Sequence, residues 1–155
     1  MESWNTAFRR GLVGGATSSL LSTVALALLG RREAGSPYAP TNAVSHWIWG
    51  DEALREDAPT LRHTVPGYLI HHGSAMFWSV LFERLCDRLL DRKEPAVTLG
   101  VGTAAAAVAC FVDYQLTPRR LQPGFETHLS RPSLAVVYGA FGAGLAIGAM
   151  LCRRS

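Results

Sequence analysis

Four long stretches without Asp, Glu, Lys or Arg constrain the fold of this chain more than any other feature. They are residues 11–30, 64–82, 95–112 and 132–152. At the rise of an α-helix, about 20 such residues span the hydrocarbon core of a bilayer. A soluble domain of 155 residues does not need four uncharged runs of that length. The sequence therefore predicts an all-α integral membrane protein, built as a four-helix bundle.

The charged residues lie at the ends of these runs and set the predicted borders. The second run continues as a solvated helix, because opposite charges such as Glu83 and Asp87 with Arg84 and Arg88 recur at three- and four-residue offsets. Residues 1–155 are predicted to form a single membrane domain, with extracytoplasmic connections at 31–64 and 115–131. The predicted spans are 11–30, 65–90, 95–114 and 132–152.

An even number of spans places both termini and the central connection on one side of the membrane. The Lys and Arg residues of that side are concentrated close to the ends of the spans, whereas those of the other side are spread over two long connections. Basic residues in short flanks face the cytoplasm. We therefore expect a multi-pass protein of a plasma membrane with both termini in the cytoplasm.

The connection 31–64 is too long to lack structure in so small a protein. Thr41 and Asn42 are predicted to cap a short helix that contains Trp47, and Asp51 is predicted to cap a second one. Trp47 and Trp49 are residue types that favour the membrane interface. The connection between the first two spans is therefore predicted to be partly helical.

Small residues recur every four positions along the first and fourth runs. The rows are Gly11, Gly15 and Ser19 in the first and Ala140, Gly144 and Gly148 in the fourth. Such rows let helix backbones approach closely, although Gly is in any case frequent in membrane helices. The expected partners are the lipid bilayer and, through these faces, a second copy or another membrane protein. No basic stripe with interleaved aromatic residues favours nucleic acid.

All five histidines fall on the extracytoplasmic side of this topology, together with two carboxylates. Imidazole and carboxylate groups are ligands for zinc, copper or iron, so a metal or haem site is one hypothesis. The alternative is that interfacial histidines hydrogen-bond to carbonyl groups or lipid headgroups and bind nothing. No cofactor is assigned. The candidate metal ligands are His72, His71, His46, His63, His128, Asp113 and Glu126.

His72 also begins a polar row along the second span, which favours a third hypothesis. Tyr68, Met76, Ser79 and Glu83 lie on the same helix face as His72. This face could line the path of a small transporter or channel subunit. Because the chain lacks nucleotide-binding loops, hydrolase elbows and HExxH motifs, the leading hypothesis is a non-enzymatic structural, interaction or accessory protein.

Two segments carry a resemblance to known sequences. Residues 37–47 (PYAPTNAVSHW) and 112–118 (VDYQLTP) are similar to stretches of small uncharacterised inner-membrane proteins of proteobacteria. The resemblance extends loosely over most of the chain. It implies a bacterial inner membrane and supplies no activity, cofactor or catalytic residue.

Overall fold

A computed structural model of the chain describes residues 3–154, and every regular element in that range is helical. One-turn 3₁₀ or π segments extend or join the α-helices at Gly50–Arg55, Val112–Leu116, Arg119–Leu121 and Phe125–Thr127. The prediction of an all-α fold is thus confirmed for the described residues. The α-helices are α1 (Trp4–Glu33), α2 (Ala39–Val44), α3 (His46–Trp49), α4 (Thr64–Leu90), α5 (Pro95–Phe111) and α6 (Arg131–Cys152).

Three helical segments of the described chain are long and apolar enough to cross a membrane. They are Trp4–Glu33, Pro95–Leu116 and Arg131–Cys152. α4 has 27 residues but does not reach the same hydropathy, since His71, His72 and the charges from Glu83 onward lie within it. Helix length and composition alone therefore give three candidate spans, where the uncharged runs predicted four.

The described chain forms two compact units. Thr23–His71 and Cys110–Val137 make up the second unit, and the rest of the described chain makes up the first. The first unit therefore contains the N-terminal part of α1, most of α4 and α5, and most of α6. The second unit contains the long connection with α2 and α3, together with the connection that precedes α6.

In the first unit, the small residues of α1 and α6 bring the two backbones into contact. A Cβ placed on Gly144 would lie under 3.0 Å from backbone atoms of Ser18, and one placed on Gly148 would crowd Gly14 in the same way. The Thr17 hydroxyl donates a hydrogen bond of 2.7 Å to the Gly144 carbonyl oxygen. The close helix approach predicted from the spacing of the small residues thus occurs within the chain.

The other glycines at this end of α1 bring that helix against α4. A Cβ on Gly11 would lie 2.9 Å from the Val80 Cα, and one on Gly15 would lie 2.8 Å from the Met76 Cα. Larger side chains at either position would push the helices apart. The N-terminal part of α1 therefore packs closely against both α4 and α6 within the first unit.

The second unit is organised around α2, all six residues of which are buried. The helix begins at Ala39, two residues before the predicted cap at Thr41, and the prediction of that start is wrong. Pro40 lies in its first turn, where a missing N–H is tolerated. The Ser36 hydroxyl accepts hydrogen bonds from the backbone N–H groups of Tyr38 and Ala39, at 3.1 and 3.2 Å, so Ser36 provides the side-chain oxygen expected of a cap.

Asn42 ties the long connection together instead of capping a helix. Its side chain is fully buried, and its Nδ2 donates to the carbonyl oxygens of Glu56 and Ala58, at 2.9 and 2.8 Å. Its Oδ1 accepts a hydrogen bond of 2.7 Å from the Thr64 hydroxyl at the start of α4. A single amide thus fixes residues 56–64, which have no regular structure of their own before α4, against α2.

We expect Asn42→Ala to destabilise the second unit by about 2 kcal/mol, because it leaves two carbonyl groups and a hydroxyl with lost partners. Hydrogen exchange followed by mass spectrometry should show reduced protection at the start of α4. Gln115→Ala, at an exposed position, serves as the control and should leave protection unchanged. Equal protection in the two variants would show that Asn42 does not hold the connection.

Trp47 joins the two connections of the second unit. Its indole Nε1 donates a hydrogen bond of 2.9 Å to the Gln122 carbonyl oxygen, and Arg120 Nη2 donates one of 3.3 Å to the Trp47 carbonyl oxygen. Trp49 instead donates to the Arg62 carbonyl oxygen at 2.8 Å, and the Arg62 guanidinium lies 4.6 Å from its ring centroid. Both indole N–H groups are therefore used within the protein.

Candidate functional site

The candidate histidines of the connection 31–64 are buried in the second unit. His46 Nδ1 lies 2.8 Å from the Ala43 carbonyl oxygen. His63 Nδ1 lies 3.4 Å from the Thr60 hydroxyl, and its Nε2 lies 3.6 Å from a carboxylate oxygen of Glu52. Each ring therefore has a polar neighbour from its own stretch of the chain, and His63 Nε2 has no hydrogen-bond partner among the described residues.

The remaining candidates of the second unit lie in different local environments. His71 packs edge-on against Phe125, with ring centroids 6.3 Å apart. His128 is half-buried, and its Nε2 has no hydrogen-bond partner among the described residues. Glu126 accepts a hydrogen bond of 3.3 Å from the Tyr114 hydroxyl, and Asp113 lies in the π-helical turn after α5.

Within residues 3–154, no group of three or more His, Cys, Asp or Glu side chains is placed to hold a metal ion. Residues on the same side of a membrane need not lie close together, whereas all ligands of one metal ion must lie about 2 Å from it. The metal or haem hypothesis thus stays a prediction, and the geometry does not supply a ligand set for it.

His72 belongs to the first unit and contacts α1. Its Nδ1 lies 2.9 Å from the Ser19 hydroxyl oxygen, so one of the two groups donates to the other according to the tautomer of the ring. Ser19 is fully buried, as are Ser18 and Ser22 beside it on α1. The sequence analysis placed His72 on a polar face without finding this partner. The signal for it was the four-residue row of small residues to which Ser19 belongs.

The polar row of α4 continues from His72 toward the C-terminal end of the helix. The Ser79 and Glu83 side chains are completely buried, and a Cβ on Gly14 of α1 would collide with the Ser79 hydroxyl. In the first unit this part of α4 therefore presents its polar row to neighbouring helices. At the far end of the row lies a carboxylate that must be neutralised if it is to remain buried.

Arg153 provides that neutralisation through two parallel contacts with Glu83. Its Nη1 donates to Glu83 Oε1 at 3.2 Å, and its Nη2 lies 2.8 Å from Oε2. Glu83 has no exposed surface, and Arg153 is 5% exposed. The Nη1 contact is a hydrogen bond, and the Nη2 contact is an ion pair without hydrogen-bond geometry. The charge pattern predicted that Glu83 pairs with Arg84 or Arg88 on a solvated part of the helix. That prediction is wrong for Glu83, because its side chain is buried and its partner is the arginine that follows α6.

Asp91 completes the cluster at its open edge. Arg153 Nε donates to Asp91 Oδ1 at 2.9 Å, and Arg10 Nη1 lies 3.7 Å from the same oxygen. Burial opposes the charged form of the Arg153 guanidinium, but the hydrogen bonds to Glu83 and Asp91 outweigh it, and its pKa is raised above the ordinary value. The guanidinium donates hydrogen bonds through Nε and Nη1 and contacts Glu83 Oε2 through Nη2 as an ion pair, so the arrangement ties the residue that follows α6 to α4.

Comparisons with protein-family models, curated proteins and solved structures found no match to this chain. The distribution of side chains is then the guide to function, because the long helices expose large apolar side chains while several polar side chains are buried beside an apolar core. The buried residues of the long helices include several serines, one of which contacts His72, and the carboxylate of Glu83. Large apolar side chains are exposed on the same helices, at Phe8, Leu20, Leu28, Leu69, Phe77, Leu85, Val108, Phe111 and Val136.

Proposed function

We propose that the chain is a four-span membrane protein of the bacterial inner membrane that acts without enzymatic activity, as a structural, interaction or accessory protein. α4 is the second of the four spans along the chain, and both termini lie on the cytoplasmic side. The observation that carries this proposal is the exposure of large apolar side chains on the long helices, together with the burial of polar side chains such as Ser79 and Glu83. A small soluble monomer rarely exposes so many Leu and Phe side chains, whereas a protein in a lipid bilayer exposes them to the acyl chains.

α4 supports the proposal although its mean hydropathy is lower than that of the other long helices. Its 27 residues extend about 40 Å, enough to cross the hydrocarbon core. Leu69, Phe77 and Leu85 on its outer surface are 60%, 59% and 72% exposed. Its polar Ser79 and Glu83 are buried instead, and Glu83 is neutralised by Arg153. A helix with apolar exposed and polar buried residues suits a bundle in lipid.

The non-enzymatic part of the proposal is supported by the way in which polar groups are used. The Glu33 carboxylate at the end of α1 accepts hydrogen bonds from the backbone and hydroxyl of Ser130 and from the hydroxyl of Ser133. The Asn42 amide is likewise satisfied by partners within the chain, and Arg153 neutralises the buried Glu83 carboxylate. Polar groups that are satisfied within the chain stabilise the fold. This use of the polar groups suits a protein that acts by binding other molecules in the membrane.

The expected partners are lipids and a second copy of the chain or another membrane protein. The small residues of α1 and α6 that motivated a protein partner pack against each other inside the first unit. Small exposed residues also occur on α5, at Gly100, Ala104 and Ala107. The bacterial inner membrane follows from the resemblance of residues 37–47 and 112–118 to proteobacterial proteins and stays a prediction.

The number of spans is tested by labelling single cysteines on either side of α4. In a background without Cys86, Cys110 and Cys152, we expect Asp57→Cys and Arg92→Cys to react with a membrane-impermeant maleimide from opposite faces of the membrane. Both positions are exposed. Ser3→Cys is the reference and should react from the same face as Arg92→Cys. Labelling of positions 57 and 92 from one face would show that α4 does not cross the membrane and would overturn the four-span proposal.

A further inference from the structure

The first unit contains a pocket of about 250 Å³ where α4 and α6 end and α5 begins. Leu90, Pro95 and Met150 supply much of its apolar wall. Three basic side chains line it as well, those of Lys93, Arg153 and Arg154. The pocket therefore joins an apolar interior to a cationic rim, which is the pattern expected for an anionic amphiphile.

Two of the three positive charges are not neutralised within the described chain. Arg153 is engaged by Glu83 and Asp91, as shown above. Lys93 and Arg154 are exposed, and no carboxylate among residues 3–154 pairs with either side chain. Glu94 follows Lys93 in the sequence but does not line the pocket. The rim thus presents two cations that no carboxylate among residues 3–154 neutralises.

Lys93 occupies a backbone conformation that normally favours glycine. Its φ is +55°, and its N–H donates a hydrogen bond of 3.1 Å to the Leu90 carbonyl oxygen where α4 ends. Glycine is the usual residue at such a position, because an L side chain is strained there. The backbone conformation at position 93 therefore gives no reason for a lysine there. A function of the side-chain ammonium group would give such a reason.

We propose that this pocket binds the headgroup phosphate of an anionic glycerophospholipid, an inference that rests on the membrane location proposed above. The basic rim lies just beyond the uncharged runs 95–112 and 132–152, at the level where headgroups meet the ends of spans. Leu99 of α5 and Leu151 of α6 are exposed on helices that border the pocket and offer apolar surface to the acyl chains. A free phosphate ion would use the cations but not this apolar surface.

Lys93→Gly combined with Arg154→Ala tests the proposal without weakening the fold, because glycine suits the left-handed position 93. Binding is measured by native mass spectrometry of the full chain in detergent, with phosphatidylglycerol, phosphatidylcholine and inorganic phosphate as separate probes. Wild-type protein is expected to bind phosphatidylglycerol more tightly than phosphatidylcholine. Each basic residue near a membrane surface contributes about fivefold, so the double variant should lose about 30-fold in affinity for phosphatidylglycerol.

Arg31→Ala with Arg32→Ala is the matched control, since it removes the same two charges at exposed positions outside the pocket. It should retain the preference for phosphatidylglycerol. Equal binding of the two lipids by wild-type protein, or an equal loss in both double variants, would overturn the proposal. Inorganic phosphate binding as tightly as phosphatidylglycerol would show a free-anion site and overturn it too. Labelling at positions 57 and 92 reports on membrane insertion separately, so failure of the lipid site is distinguishable from failure of the four-span proposal.

Discussion

Arg153→Met is expected to lower the free energy of unfolding by about 3–5 kcal/mol, because it leaves the fully buried Glu83 carboxylate without its counter-charge. The hydrogen bond from Arg153 Nε to Asp91 is lost as well, although that carboxylate is exposed and remains hydrated. Unfolding of detergent-solubilised protein by heat or by denaturing detergent measures the change. No other single substitution of a described charge removes a partner from so completely buried an ion.

The double variant Glu83→Leu with Arg153→Met should recover most of that loss. Replacing both members of a buried ion pair by apolar residues is often neutral or stabilising, whereas removing one is costly. Arg154→Met is the matched control, since this neighbouring arginine is exposed and should change stability by less than about 0.5 kcal/mol. Equal stability of the Arg153→Met variant and this control would show that Glu83 does not depend on Arg153.

Gly144→Ala is expected to cost about 3 kcal/mol, since the added Cβ would lie under 3.0 Å from the backbone of Ser18. Backbone atoms cannot rotate away as a side chain can, so α1 and α6 must separate and the hydrogen bond from Thr17 to the Gly144 carbonyl oxygen must lengthen. The loss should be visible as a lower unfolding temperature in detergent.

Gly139→Ala on the same helix provides the matched control. A Cβ at position 139 meets nothing within 4 Å, and alanine is the better helix former by about 1 kcal/mol. This variant should therefore be as stable as the wild type or more stable. If the two alanine variants unfolded at the same temperature, close packing of α1 on α6 would be refuted.

Helix positions were largely legible in the sequence, because charges and prolines are local signals. α4 begins at Thr64 and ends at Leu90, and α6 runs from Arg131 to Cys152, so both lie close to the predicted 65–90 and 132–152. α1 instead begins at Trp4, well before the predicted start at residue 11. The start of α2 was missed, since the oxygen that accepts its first N–H groups belongs to Ser36 and not to Thr41. Thr41 and Asn42 are good cap residues by type. Nothing local distinguishes a cap residue from one whose side chain is needed elsewhere.

The candidate site was predicted only in outline. The polar face of α4 was evident from the spacing of His72, Ser79 and Glu83, because helical periodicity fixes which residues share a face. Their partners were not evident, since Ser19 is 53 positions from His72 and Arg153 is 70 positions from Glu83. Grouping the seven proposed metal ligands assumed that residues on one side of the membrane lie close together. Helical periodicity carries no information on distances between helices.

The helical character of the chain and its uncharged runs of membrane-spanning length are evident from the sequence, and three of these runs lie in helices apolar enough to cross a membrane. Segment length, residue type and the i to i+4 backbone hydrogen bond are all local properties, so they can be read along the chain. Helix packing, in contrast, makes Arg153 the partner of Glu83, brings the backbone of Ser18 against Gly144, and places Lys93 and Arg154 around one pocket. Those relations depend on which helix faces meet, and that is settled by packing between residues far apart in the chain.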